Sequence, residues 1–212
     1  MKFAVTGGAG FIGSNIVKEL IKQNHTPIVI DNFYRGKIER VSSLDVDVHK
    51  IDIRNFDQLK NILKNVDGVF HEAALTDVQE SFVKQEEYND VNVKGTENVF
   101  KIAKEFNLKV VYASSSSIYG NPKKIPIIEN SSRNPINPYG KTKLDDEIHG
   151  EAILFEPASS VIYEKRLVEA RKIFEKVVQR LAKSGYTADI DESFSNGRRV
   201  VAVFSEYKRQ VK

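Results

Sequence analysis

Tyr139 and Lys143 stand at i and i+4 in the run Tyr139-Gly140-Lys141-Thr142-Lys143. On a helix that spacing puts both side chains on one face. A lysine ammonium beside a phenol favours the phenolate and lowers the phenol's pKa from about 10 towards neutrality. A tyrosine tuned in this way works as a general base on a hydroxyl or as a general acid on a carbonyl. Upstream, the run Ser114-Ser115-Ser116-Ser117-Ile118-Tyr119-Gly120 follows an apolar strand, and a serine at that strand end can hydrogen-bond the same oxygen. Alone, the pair would read as an ordinary helix-surface Tyr/Lys contact.

What changes the reading is the stretch KFAVTGGAGFIG, Lys2 to Gly13, a short apolar strand running straight into a glycine-rich turn. Gly7, Gly10 and Gly13 lie three apart, and Gly8-x-Gly10-x-x-Gly13 also satisfies the dinucleotide fingerprint. One glycine allows the tight turn, one lets the backbone approach a pyrophosphate, and one lets the following helix pack closely on its strand. That helix, predicted from Phe11 to Asn24, points its N-terminal N–H groups at the phosphates. A second apolar strand, Pro27 to Asn32, ends at Asp31, 18 positions after Gly13. A carboxylate there accepts the ribose hydroxyls of the adenosine half and repels a 2′-phosphate, so NAD is expected over NADP. Arg35 and Lys37 nearby pull the other way, since either can meet a 2′-phosphate.

The elements that must position these groups follow an α/β pattern. Strands are predicted at Val46–Ile53, Gly68–Ala74 and Leu108–Ser114, with helical spacing at Phe56–Asn65 and from Glu86 to Phe106. Such alternation implies a Rossmann-type, doubly wound parallel sheet with helices on both faces. Ligands of these sheets bind at the carboxyl ends of the strands, and the glycine turn, Asp31, Ala73–Ala74 and the serine run all fall at such ends. From Gly120 to Pro138 runs a Pro-, Asn- and Ser-rich loop, longer than structural loops usually are. A helix begins at Pro138-Tyr139, with proline suited to its first turn.

The 212 residues suffice for one large domain plus a small appendage. The absence of cysteine excludes disulfides and thiolate metal sites, and no metal site is expected. Met1 leads directly into a core strand, so no secretory signal is read. No apolar run approaches the ~18 residues of a membrane span; a soluble, cytoplasmic protein is expected. Residues 1–150 carry 20 Lys+Arg against 20 Asp+Glu, and residues 151–212 carry 12 against 9, so the whole net charge of +3 sits in the tail. That modest basic excess reads as a solvated helix face rather than a nucleic-acid surface.

Seven motifs now stand in order: TGGAGFIG (Thr6–Gly13), Asp31-Asn32, Asp52-Ile53, VFHEAA (Val69–Ala74), NVKGTENV (Asn92–Val99), SSSSIYG and YGKTK. In order and spacing they resemble the extended short-chain dehydrogenase/reductase family, in particular its nucleotide-sugar 4-epimerases (UDP-glucose 4-epimerase-like), over about residues 1–147. The resemblance implies that Gly7, Gly10, Phe11, Ile12, Gly13, Asp31, Asn32, Asp52, Ile53, Ala73, Ala74, Tyr139 and Lys143 bind NAD. It implies that Ser115, Tyr139 and Lys143 are catalytic, since the family's catalytic Ser/Thr lies five residues before the glycine of the Tyr-Gly pair. The implied substrate is a sugar nucleotide, most readily a UDP-sugar, with a homodimer as the assembly to test. Related dehydratases place an Asp-Glu pair after that Ser/Thr, and decarboxylases keep the Glu. Ser116 and Ser117 stand there instead, which leaves oxidation and re-reduction at the sugar C4. His71 reads as a packed core histidine. Ser81 and Thr76 read as turn-capping residues, although either could touch the sugar nucleotide. Glu72 departs from the family, which mostly carries an uncharged residue at that position.

After about Glu147 the resemblance stops. Gly150 is expected to interrupt the helix early. Residues 1–150 are taken as the NAD-binding domain and 151–212 as a tail in place of the usual substrate domain. Apolar residues at helical spacing from Ser160 to Ser184, with Gly185 as C-cap, predict a long helix. The runs Tyr186–Ser195 and Arg198–Tyr207 flank Asn196-Gly197 and predict a β-hairpin, expected to dock because a lone hairpin is marginal. A natural variant with a replacement subdomain, a chimaera, and a degenerate NAD-binding module remain the three explanations of this tail.

Overall fold

The computed structural model describes residues 1–122, 125, 127, 131–154, 176, 179, 189–190 and 201–204. In chain order its elements begin β1 (Lys2–Thr6), α1 (Phe11–Lys22), β2 (Thr26–Asp31), β3 (Asp47–Lys50), α2 (Phe56–Leu63) and β4 (Gly68–His71). They continue with α3 (Val78–Val83), α4 (Gln85–Tyr88), a π-helical segment (Asn89–Lys94) and α5 (Gly95–Glu105). After these come β5 (Lys109–Ser115), a 3₁₀ turn (Ser116–Tyr119), α6 (Pro138–Leu154), β6 (Asp189–Ile190) and β7 (Val201–Phe204).

Alternation along each strand sets the two faces of the sheet. Phe3, Val5, Val29, Phe70 and Val111 pack with Ile16, Val17 and Leu20 of α1 on one face. Their neighbours Ala4, Ile28, Ile30 and Val69 pack on the other face with Leu59 and Leu63 of α2 and Val99, Ile102 and Ala103 of α5. Burial on both sides is what a parallel sheet requires, and the β1–β2, β1–β4, β2–β3 and β4–β5 pairings are all parallel. The order β3-β2-β1-β4-β5 changes its direction of winding between β1 and β4. The crevice beyond their carboxyl ends is therefore the topological switch point where such sheets bind ligands.

Four expectations are adjusted. The helix read from Glu86 to Phe106 is interrupted by the π-helical segment, where Asn92 is fully buried. The helix α3 was not foreseen: with six residues it is too short to give a periodic signal. The strand expected over Val46–Ile53 pairs only over Asp47–Lys50. Gly150 does not interrupt α6, which runs on to Leu154. A β-carbon there would meet the Phe100 ring at 3.1 Å, so this glycine serves the close approach of α6 to α5.

In the tail, Lys176 and Gln179 are helical, as expected; the rest of the helix expected over 160–184, Gly185 and the Asn196-Gly197 turn lie outside the described residues. β6 and β7 fall within the two predicted strand runs and pair antiparallel, Asp189 facing Val203 and Ile190 facing Ala202. β7 also pairs parallel with β5, from Tyr112↔Val201 to Ser115↔Phe204.

Candidate active site

The glycine turn between β1 and α1 is built from backbone in contact with backbone. Gly7 has φ +65°, and a β-carbon on it would stand 2.8 Å from the amide nitrogen of Ala73. On Gly13 a β-carbon would stand 2.2 Å from the Gly7 carbonyl oxygen. Gly10 donates its N–H to that same oxygen at 2.9 Å. The turn is therefore clamped between the start of α1 and the end of β4, and its positions 7 and 13 admit no side chain.

Asp31, at the end of β2, is buried. Its Oδ2 accepts the Ala9 N–H at 3.0 Å and its Oδ1 accepts the Phe33 N–H at 2.8 Å. The carboxylate thus ties the second strand to the glycine turn, and it keeps lone pairs for further donors. The tight turn that follows forces Phe33 to φ +62°, an unusual conformation for a bulky residue and one found at ligand sites. Gly36 lies directly over the carboxylate, its β-carbon position 2.5 Å from Oδ1.

A cavity of about 680 Å³ runs along these strand ends. Of the residues expected to bind cofactor, Gly7, Gly10, Phe11, Ile12, Gly13, Asp31, Asn32, Ile53, Ala73, Ala74, Tyr139 and Lys143 line it. Asp52 is not on this wall. Its carboxylate is spent on the Arg54 guanidinium, at 2.8 and 2.9 Å, and on the Asn32 amide at 3.0 Å, and these bonds hold it well below the usual carboxylate range. Arg35 lines the cavity but is paired to Glu80 at 2.7 Å. Arg40, which no motif of the sequence marks, also lines it and donates to the Ala9 carbonyl at 3.1 Å.

At the β5 end, Ser115, Tyr139 and Lys143 line the same cavity. Asn137 caps α6 by accepting the Gly140 N–H at 2.7 Å, with Pro138 in the first turn. Gly140 lets that turn come close: a β-carbon would stand 2.6 Å from the Ser117 carbonyl. Ser115 Oγ accepts the Ser117 N–H at 3.2 Å, a bond that leaves its hydroxyl hydrogen for a ligand oxygen. Ser114 is instead committed to Glu147 of α6, which Arg133 holds from the other side at 2.8 Å. Lys143 is buried, with Nζ 3.1 Å from Asp146 Oδ2 and 4.3 Å from the centre of the Tyr112 ring. Burial raises the Asp146 carboxyl above its ordinary range while the Lys143 ammonium pulls it back. The sequence motif showed the Tyr139/Lys143 pair but not this third member, one helical turn further on.

The remaining sequence candidates find structural roles. His71 is the packed core histidine expected: Nδ1 is 2.6 Å from Thr6 Oγ1 and Nε2 is 2.9 Å from Thr96 Oγ1, and burial pushes it down to about 3. Ser81 is buried and accepts the Tyr139 N–H at 3.2 Å, so it caps α6; Thr76 lines the cavity. Asn92, named above only as part of a motif, accepts the Leu75 N–H and donates to Leu75 O and to Thr142 Oγ1, at 2.8 to 3.1 Å. It joins the β4 loop to α6 through the π-helical segment, a feature that often marks function. Among the described residues there is no cluster of His, Asp or Glu able to hold a metal ion, and no helix is long and apolar enough to cross a membrane.

A glycine-lined cradle at a helix start, a strand-end carboxylate with spare lone pairs and a cavity crossing the switch point fit a bound dinucleotide. Comparison with known proteins agrees. UDP-glucose 4-epimerase from Lactobacillus helveticus is 40% identical over 147 residues, which are 68% of this chain and 44% of that protein. The solved structure of UDP-glucose 4-epimerase from Brucella ovis in complex with NAD matches with TM-score 0.66 at 36% identity, over 69% of this chain and 46% of that one. The Thermotoga maritima UDP-glucose 4-epimerase structure with UDP-glucose matches with TM-score 0.69 at 30% identity, over 72% of this chain and 51% of that one. The chain spans about half the length of these relatives. The sequence model of the NAD dependent epimerase/dehydratase family matches residues 3–152, so the chain belongs to that family.

Proposed function

We propose that the chain is an NAD-dependent, cytoplasmic nucleotide-sugar 4-epimerase that acts on a UDP-sugar by transient oxidation at C4. The observation that carries this reading is the meeting of Ser115, Tyr139 and Lys143 on the cavity that also holds the glycine turn and Asp31. Its support from comparison is the family match and the relatives that carry the 4-epimerase name. Bound NAD supplies a hydride acceptor that later returns the hydride. Gly7, Gly10 and Gly13 cradle its pyrophosphate and Asp31 takes its adenosine ribose. Tyr139 Oη takes the proton of the sugar hydroxyl as the carbonyl forms and gives it back when the carbonyl is reduced from its other face. Ser115 Oγ–H orients that oxygen, and Lys143 supplies positive charge beside the phenolate. Ser116 and Ser117 offer no carboxyl for water elimination or decarboxylation.

In this reading residues 1–150 form the cofactor-binding unit and residues 151–212 a separate tail; the end of the family match at residue 152 supports that division. The same end point favours one second reading, a truncated, chimaeric or degenerate dinucleotide-binding module. A panel of UDP-sugars incubated with the protein and NAD, scored for C4 configuration, separates the two. Epimerisation that falls by about 10²- to 10⁴-fold in Tyr139→Phe supports the enzyme. Tight NAD binding without turnover on any UDP-sugar supports the module, and full turnover in Tyr139→Phe refutes the assignment of the base.

A further inference from the structure

Among the described residues, Glu72 is the one carboxyl lining the cavity that neither the fold nor the proposed reaction uses: Asp31 is committed to the glycine turn and Glu87 is paired with Lys84. It follows β4 directly, its N–H bonded to the Thr6 carbonyl at 3.1 Å, and its backbone borders Gly7. The residue lines the cavity, and its Oε1 is buried with no hydrogen-bond partner among the described residues. An ionised carboxyl oxygen left so is unfavourable, and Glu72 acts on the cavity through its charge. The charge acting on Glu72 is the Lys143 ammonium, which already faces Asp146 at 3.1 Å on α6. His71 on β4 is neutral, since burial disfavours its charged form and the Lys143 ammonium opposes it further, while its ring nitrogens meet threonine hydroxyls. The other titratable groups on this side are Tyr112 on β5, stacked on His71 and lying under the Lys143 ammonium, Glu147 on α6, which Ser114 and Arg133 hold, and Tyr139, also on α6. Glu72 is therefore a surplus acid on the β4–β5 side of the switch point, whereas Asp31 closes the β2 side.

A dinucleotide with its adenosine ribose at Asp31 and its pyrophosphate at the glycine turn extends its nicotinamide half to the β4–β5 side. The oxidised nicotinamide ring carries a positive charge and the reduced ring none. We propose that Glu72 sets this site's preference between the two redox forms of its cofactor, its carboxylate favouring the cationic oxidised ring over the neutral reduced one. The inference rests on the dinucleotide reading above. Unit charges about 10 Å apart at an effective dielectric constant of about 20 change an affinity roughly tenfold. Both forms share pyrophosphate, riboses and adenine, so the ratio of their affinities isolates the ring charge. Protonation of Glu72 removes the preference, and burial has raised this carboxyl to about 7.

The test is calorimetric titration of the full 212-residue chain with NAD⁺ and with NADH, from about pH 5.5 to about pH 8.5, for wild type and for Glu72→Gln. Expected is a ratio Kd(NADH)/Kd(NAD⁺) that rises roughly tenfold with pH in the wild type and stays at its low-pH value in Glu72→Gln, which keeps volume and hydrogen-bonding groups. A flat ratio in the wild type overturns the proposal. So does an unchanged step in Glu72→Gln, which would assign it to another group such as Asp146. Failure to bind either form refutes the dinucleotide reading and this inference with it, a result distinct from a flat ratio.

Discussion

Replacing Gly13 by alanine separates the stability of the fold from the integrity of the cradle. The added β-carbon would stand 2.2 Å from the Gly7 carbonyl oxygen and 2.8 Å from both Gly7 C and Gly8 Cα. All three are backbone atoms, so no side chain can rotate out of the way. Carbon atoms pack comfortably at about 3.5 Å, and relief requires α1 and the turn to part by roughly 1 Å. Within a helix alanine is favoured over glycine by about 1 kcal/mol, while overpacking costs about 1–3 kcal/mol. The two largely offset each other, so stability should fall by no more than about 2 kcal/mol and the protein should still fold. The cradle gains nothing in return. Losing one or two backbone hydrogen bonds to a charged pyrophosphate costs about 1.5–3 kcal/mol each, so NADH affinity, read by fluorescence titration, should drop on the order of a hundredfold. Gly150→Ala is the matched control, because its β-carbon meets only the edge of the Phe100 ring, at 3.1 Å, far from the turn. Its NADH affinity should stay at the wild-type value. A Gly13→Ala protein that binds NADH within about threefold of wild type would refute the cradle argument.

Asn92→Ala removes three buried hydrogen bonds and strands the Leu75 N–H and carbonyl; urea unfolding should show a loss of about 2–4 kcal/mol, and a loss below about 1 kcal/mol would mean that the β4 loop and α6 are held elsewhere. His71 has a folded pKa lowered to about 3 from 6.5, so the unfolded chain takes up the proton first. Its contribution is fully present above about pH 6.5 and is lost as pH falls towards 3, at about 1.4 kcal/mol per pH unit; His71→Gln should flatten the stability–pH curve by that slope, and parallel curves would show that His71 is not held neutral.

The first five strands, α1, α2 and the start of α6 were legible because each carries a local signal: a period-two or helical apolar pattern bounded by glycine, aspartate or proline. The glycine turn, Asp31 and the Tyr139/Lys143 pair were legible for the same reason, since their chemistry is written in spacing along the chain. What escaped is long-range or geometrical. Asp146 is one of three acids in a row on α6, and nothing in Asp145-Asp146-Glu147 says which of them folds back onto Lys143. Asp52 looked like a wall residue until Arg54, two positions on, took both its oxygens. Gly150 looked like a helix breaker, yet burial against Phe100 outweighs the roughly 1 kcal/mol propensity loss of a mid-helix glycine. The π-helical segment has no sequence signature of its own; it follows from Asn92 reaching both Leu75 and Thr142.

The docking of β7 bears directly on Ser115, the serine proposed to orient the reacting oxygen. In a sheet wound in the order β3-β2-β1-β4-β5, the outer side of β5 is the edge to which a sixth parallel strand is added. Left open, that edge would expose the backbone N–H and C=O groups next to Ser114 and Ser115 to water or to another chain. Val201–Phe204 takes the sixth place, and its register sets Val203 beside Ser114 and Phe204 beside Ser115. The β4 pairing of β5 ends at Tyr112, so β7 is the strand neighbour of Ser115 and fixes its backbone, as the proposed role of holding a reacting oxygen requires. Because β7 runs parallel to β5, it also ends at the carboxyl end of the sheet, the end at which the cavity lies. The tail thus supplies a sheet position that the first 150 residues leave open. A chain cut after α6 should keep the glycine turn and Asp31 but return β5 to the edge, so loss of order should begin at Ser115 and spare the β1–β2 half of the site.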